Sequence, residues 1–224
     1  MKLVFIDVDD TLLDFEECSK YAIKKCCEDA SIEYSDEIYK VFRPYNDLLW
    51  TKIEDGSLTK EQLYGMRWTH IFTVLGIDCD GIAFEENFRH YASMSAVPIK
   101  GSLDILEYLS KKYILCTASN ASYERQYGRL KKAGMLDYFD KIFASGDVGC
   151  QKPMALFFER CMEHFPEISK DDTVIIGDSL TADIAGGKNY GIRTVWFNRQ
   201  RKPHSGDVIS DCTVYDLCEI KNIL

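Results

Sequence analysis

Asp7, Asp9 and Asp10 crowd three carboxylates into the run LVFIDVDDTLLD, residues 3 to 14, where four apolar residues give way. Like charges this close raise one another's pKa and repel, so the cluster needs a cation beside it. Residues of matching chemistry follow much later: Ser119-Asn120, Lys152-Pro153, and GDSLTAD from Gly177 to Asp183. A hard divalent cation such as Mg²⁺ takes oxygen ligands in octahedral geometry, keeps several waters, and is usually held by one or two carboxylates plus a substrate phosphate. Asp7 and Asp178 supply such carboxylates, with Asp183 orienting them or the waters from behind. A carboxylate beside bound metal can also attack phosphorus, dividing one hard displacement into two easier ones through an aspartyl-phosphate. That assigns Asp7 as nucleophile. Asp9, two residues on, shares its side of an extended chain and can protonate the leaving oxygen, then take a proton from water. Lys152, the Ser119 hydroxyl and backbone N–H groups near Asn120 would bind the phosphoryl oxygens and neutralise their charge.

These roles require elements that bring distant residues together. Short β-branched and aromatic runs at Leu3-Ile6, Tyr113-Thr117, Lys141-Ser145, Thr173-Ile176 and Arg193-Phe197 read as strands. Helical patterns at Ser122-Ala133, Met154-His164 and Thr181-Asn189 alternate with them. The pattern predicts a doubly wound, mainly parallel α/β sheet with helices on both faces and right-handed crossovers. In such sheets ligands bind beyond the carboxyl ends of the strands, where the strand order reverses. Every candidate residue falls at such an end. Taken singly, DVDDT can be a solvated turn and Lys152 a surface lysine; their joint placement completes a site with defined roles. The reading requires the side chains of Asp7 and Asp178 to converge.

The stretch from residue 14 to 97 differs, with helical periodicity and hardly a strand signal, and predicts an inserted α-helical domain within a core of residues 1–13 and 98–224. In it Gly56 can end one helix and Thr59 can cap the next, with Gln62 as reciprocal partner. Leu63, Met66, Ile71, Phe72 and Leu75 give that helix an apolar stripe before Gly76 stops it. Trp50, Tyr64 and Trp68 read as core aromatics rather than a base-stacking platform.

Composition narrows the class. The 224 residues are 46% hydrophobic, which suffices for a sizeable core. The net charge of -9 disfavours a nucleic-acid polymer and leaves a small phosphorylated metabolite as partner. No apolar run is long enough to span a membrane, and Met1-Lys2 leads straight into a strand, so neither export nor anchoring is expected. Nine scattered cysteines, odd in number, fit a reducing cytoplasm better than a disulfide framework. Other patterns fail on inspection. Gly186-Gly187-Lys188 lacks the residues of a P-loop, since Asn189 and Ala182 stand at the required positions. Cys161 and His164 have no second ligand pair, and Leu12 sits where an EF-hand needs glycine. His70, His90 and His204 are given no role.

Together these residues resemble the haloacid dehalogenase (HAD) superfamily of Mg²⁺-dependent phosphatases over the whole chain. DVDDT resembles its first motif, Ser119 its second, Lys152-Pro153 its third and GDSLTAD its fourth. The resemblance implies a HAD-like Rossmannoid core, Asp7 as nucleophile and Asp9 as acid/base. It also implies a cation held by Asp7, the backbone carbonyl of Asp9, and Asp178. A helical insert between the first two motifs matches the subgroup with an α-helical cap there. NDLLW (46 to 50), GSLTKEQL (56 to 63), Arg67-Trp68 and QYGRL (126 to 130) resemble the bacterial 5′-nucleotidases of pyrimidine and non-standard nucleoside monophosphates. That branch usually shows Thr-Asn-Gly where Ser119-Asn120-Ala121 stands here; serine keeps the hydroxyl. The resemblance implies a nucleoside monophosphate as substrate. Alternatives are a sugar-phosphate phosphatase such as N-acylneuraminate-9-phosphate phosphatase, a phosphomutase, a metal-free dehalogenase, and a catalytically silent phospholigand-binding module.

Overall fold

The computed structural model describes residues 1–203 and 207–224; His204 lies outside the described residues. They divide into two compact units, Met1–Phe15 with Ala96–Leu224, and Glu16–Ser95.

The first unit is built on a six-stranded sheet ordered β3-β2-β1-β4-β5-β6, with every pair parallel. Its strands are β1 (Leu3–Ile6), β2 (Ile114–Ser119), β3 (Lys141–Ala144), β4 (Thr173–Gly177), β5 (Arg193–Phe197) and β6 (Cys212–Val214). Alternation of side chains across a strand explains why β1 is apolar throughout. Val4 and Ile6 join the cluster containing Ile105, Leu106 and Leu130, whereas Leu3 and Phe5 join Phe157, Phe158 and Cys161 on the other face. Five of these strands match expected runs to within two residues at their ends. The three-residue β6 gave no such signal.

Register sets the level of the site. Ile6 pairs with Thr117 on one side and with Ile176 on the other. Asp7 therefore leaves β1 level with Ala118 of β2 and Gly177 of β4, at the carboxyl edge of the sheet.

The second unit contains α1 (Phe15–Asp29) from Glu16 onward, α2 (Asp36–Glu54), α3 (Lys60–Leu75) and α4 (Gly81–Met94). Thr59 caps α3 through the expected capping box with Gln62, and Gly76 ends it in the left-handed conformation. The buried face of α3 is Leu63, Arg67, Trp68, Ile71 and Phe72. Met66, expected on that face, is 39% exposed, because Arg67 and Trp68 turn inward beside it. Trp68 stacks on Phe42 at 5.3 Å and 15° and meets Phe84 and Phe88. Gly81 lets α4 approach: a Cβ there would lie 2.4 Å from the backbone nitrogen of Thr69. Arg67 is buried against the same aromatics. It donates to both Glu85 carboxylate oxygens, at 3.0 and 2.6 Å, and to Asn46 Oδ1 at 2.7 Å. Trp50 and Tyr64 pack, half-buried, on a smaller cluster of Leu49, Ile53 and Leu63. His70 stacks on Tyr45, with ring centroids 4.1 Å apart.

Candidate active site

Asp7, Asp178 and Asp183 converge at the carboxyl edge of β1 and β4, offering carboxylate oxygens within 4.8 Å of one another. Asp7 follows β1 directly, its N–H donating to Ile176 O at 2.9 Å. Asp178 follows β4, where its carbonyl accepts from Trp196 Nε1 at 2.8 Å. Asp183 returns on the helical turn Leu180–Ile184, started by Ser179, whose Oγ accepts from Ala182 N. Gly177 makes room for it: a Cβ there would lie 2.2 Å from Asp183 Oδ2.

Lys152 reaches this cluster from the loop after β3. Its ammonium donates to Asp7 Oδ1 at 2.8 Å, to Asp183 Oδ1 at 2.5 Å and to the Ala118 carbonyl. Asn120 holds the lysine backbone at both ends, donating from Nδ2 to Lys152 O at 3.0 Å while Oδ1 accepts Lys152 N at 2.9 Å. The Asn120 side chain thus positions Lys152. Ser119 ends β2, and its Oγ accepts from Ala121 N at 3.2 Å.

Charge in this cluster does not balance. Three carboxylates converge with one ammonium bonded to two of them, and the cluster is largely withdrawn from water. Burial pushes Asp7 up to about 8 against the pull of Lys152, with Asp183 adding to the rise. Asp178 is also raised well above its ordinary value, by burial first and then by Asp10 and Asp183. Oxygen donors in this number, short of positive charge, suit a hard divalent cation. Asp7 and Asp178 would hold it directly. Asp183 has both oxygens engaged, by Lys152 and by Ser179 N, which suits it to orienting the others.

Asp9 points elsewhere. Its Oδ1 accepts from Arg129 Nη1 at 2.6 Å and its Oδ2 from Gln126 Nε2 at 2.9 Å. Burial alone would raise this carboxyl, but the guanidinium groups of Arg129 and Arg125 outweigh it and bring it to about 2.

The model of the haloacid dehalogenase-like hydrolases matches residues 4–197. The chain belongs to that family. This hydrolase is 33% identical over 223 residues to the HAD-hydrolase YfnB of Bacillus subtilis, covering 100% of this chain and 95% of YfnB. A crystal structure of YfnB bound to magnesium superposes with a TM-score of 0.94, at 32% identity, covering 99% of this chain and 97% of the other. Pyrimidine 5′-nucleotidase PynA of Streptococcus pneumoniae is 33% identical over 229 residues, covering 100% of this chain and 97% of PynA. Pyrimidine 5′-nucleotidase YjjG of Escherichia coli is 25% identical over 221 residues, covering 99% and 96%.

Sequence reasoning gave no catalytic role to two residues of the run QYGRL that this haloacid dehalogenase-like hydrolase brings to its site. In the sheet unit α5 (Ser102–Ser110) precedes β2 and α6 (Tyr123–Lys132) follows it; Gln126 and Arg129 lie on α6, and both are fully buried. Their signal is positional: with Leu130 they occupy i, i+3 and i+4, the inward stripe of a helix, where a glutamine and an arginine need partners. The rejected zinc pair is likewise accounted for, with Cys161 in the core and His164 Nδ1 2.8 Å from Lys141 Nζ. Among the described residues no helix is long and apolar enough to cross a membrane.

Proposed function

We propose that this hydrolase is a Mg²⁺-dependent phosphomonoesterase acting on nucleoside 5′-monophosphates through a phosphoryl ester on Asp7, with residues 14–97 as its helical cap. The observation that carries the reading is the convergence of Asp7, Asp178 and Asp183 around Lys152 at one sheet edge. The similarity to PynA and YjjG favours a pyrimidine nucleotide as substrate.

Bound by Asp7, Asp178 and the Asp9 carbonyl, Mg²⁺ would supply positive charge for the phosphoryl oxygens. The protein's own groups do the rest. Lys152 holds Asp7 by Oδ1 and orients its carboxylate as the nucleophile. The Ser119 hydroxyl and the N–H groups beside Asn120 bind phosphoryl oxygens as charge builds on them. A carboxylate oxygen of Asp7 bonds to phosphorus as the ester P–O bond breaks, and Asp9, kept ionised in the free enzyme by Arg129 and Arg125, takes up a proton from solvent as the anionic phosphate binds and gives it to the departing oxygen. Water then attacks the phosphorus of the Asp7 ester. Asp9 takes a proton from that water as the P–O bond to Asp7 breaks, Asp7 is restored as a carboxylate, and Asp9 returns its proton to solvent as inorganic phosphate leaves.

The test is phosphate release from a panel of pyrimidine and purine nucleoside 5′-monophosphates and sugar phosphates in Mg²⁺, ranked by kcat/KM. Pyrimidine nucleotides should rank first. A sugar phosphate ranking first would transfer the assignment to the sugar-phosphate phosphatases, and no release from any ester would refute it.

A further inference from the structure

Helix α6 carries a polar arrangement that the reaction outlined above does not use. Gln126 and Arg129 are both fully buried on the helix that follows the Ser119 strand, and they divide the Asp9 carboxylate between them. Arg129 Nη1 takes Oδ1 at 2.6 Å, and Gln126 Nε2 takes Oδ2 at 2.9 Å. The same Gln126 amide nitrogen lies 2.8 Å from Ser119 Oγ, and its Oε1 accepts Arg129 Nη1 at 3.1 Å. Two side chains one turn apart thus connect a hydroxyl at the end of β2 to the carboxylate two residues beyond Asp7.

Burying a guanidinium beside an amide costs free energy that a helix of this size could avoid with two apolar residues. A carboxyl that must deliver a proton along a fixed line gains from such a socket, because proton transfer is sensitive to small displacements. The two contacts are unequal in kind. Arg129 makes a charged bond to Oδ1 from a side chain with no exposure, which fixes that oxygen. Gln126 makes a neutral bond to Oδ2 and shares its amide with Ser119, so Oδ2 is the oxygen more easily turned toward a substrate.

We propose that Arg129 and Gln126 are positioning residues for the acid/base Asp9. In this arrangement Arg129 anchors one carboxyl oxygen while Gln126 couples the other to the phosphate-binding Ser119. The inference rests on the phosphomonoesterase reading and deepens it. Its signature is dependence on the leaving group. A nucleoside alkoxide is a poor leaving group and needs Asp9's proton, whereas p-nitrophenolate departs without one. The ratio kcat/KM reports only the steps up to departure of that group, so it excludes hydrolysis of the ester on Asp7.

The experiment compares kcat/KM for uridine 5′-monophosphate and p-nitrophenyl phosphate, in Mg²⁺, across the full-length wild type, Arg129→Met, Arg129→Lys, Gln126→Leu and Asp9→Asn, with melting temperatures alongside. Arg129→Met should lose about 100-fold on the nucleotide and under about 5-fold on the aryl ester, and Arg129→Lys should recover most of the nucleotide activity. Gln126→Leu should lose about 10-fold on the nucleotide alone, and it carries the test if Arg129→Met fails to fold. Adding Arg129→Met to Asp9→Asn should cost less than about 2-fold more. Equal losses on both esters, none on either, or a gain on the nucleotide from relief of the charge that keeps Asp9 ionised, would overturn the positioning role while leaving the phosphatase reading intact. A wild type inactive on both would overturn both.

Discussion

Lys152 in the sheet unit and Arg67 in the helical unit are both buried cations bonded to carboxylates, yet their charge balance differs. Arg67 meets one carboxylate, Glu85, through two hydrogen bonds, gives its remaining bond to Asn46, and lies 5.5 and 4.9 Å from the ring centroids of Phe42 and Phe88. There one positive charge faces one negative charge at hydrogen-bond distance. Lys152 sits between Asp7 and Asp183 with Asp178 close by, and two of these three carboxyl groups are driven far upward by burial. A balanced, enclosed pair holds helices in register. An unbalanced cluster at a strand edge stores a demand for a ligand, as perturbed carboxylates in a cleft commonly do.

Substitutions should separate the two regions. Asp7→Asn removes the nucleophile and one of the clustered charges, so turnover should fall by at least about 10⁴-fold while the melting temperature holds or rises. Steady-state kinetics with thermal melting would check both halves; activity near wild type would end Asp7's assignment. Arg67→Met takes the guanidinium away from the buried Glu85 carboxylate, and should cost about 3–5 kcal/mol in urea unfolding. Its Mg²⁺ affinity, by calorimetry under folded conditions, should stay within about 2-fold of wild type, since effects at independent sites add. A large loss of Mg²⁺ affinity would show that the helical network serves the metal site.

How much of this was legible in the sequence follows the same division. β1 and β5 could be bounded to the residue: Leu3–Ile6 is an apolar run between Lys2 and Asp7, and Arg193–Phe197 is a β-branched and aromatic run that starts just after Gly191 and ends at Asn198. Strand β6 could not, since three residues at a sheet edge, Cys212 to Val214, carry too little apolar pattern to stand out from a loop. The convergence of Asp7, Asp178 and Asp183 was readable once each was assigned to a strand end. The partners of Asp9 were not, because Gln126 and Arg129 declare themselves only when the inward face of α6 is known. In the helical unit, apolar spacing alone put Met66 inside, whereas the buried positions belong to Arg67 and Trp68. A charged residue in a core stripe is invisible to hydrophobic periodicity.

Smaller effects sharpen the contrast. Asp7 titrates near 8 in the folded, metal-free chain against an ordinary 3.8, so it binds a proton on folding across that interval. Stability without metal should therefore fall as pH rises from about 4 through about 8, with Asp178 acting in the same direction. Mg²⁺ held by the ionised carboxylates, as proposed, should raise the melting temperature most at the alkaline end. A metal-free melting temperature that climbs with pH across this range would contradict the charge imbalance. Least of all, Thr59→Ala removes a helix cap remote in sequence from the site motifs. It should cost about 1 kcal/mol in stability and leave kcat unchanged.

The most direct test of the central claim is phosphate release from uridine 5′-monophosphate by one wild-type sample taken through Mg²⁺, then EDTA, then excess Mg²⁺. Release in Mg²⁺, its loss in EDTA and its return on re-addition are the predicted results. Release that persists undiminished in EDTA would contradict a metal-dependent site built on Asp7 and Asp178.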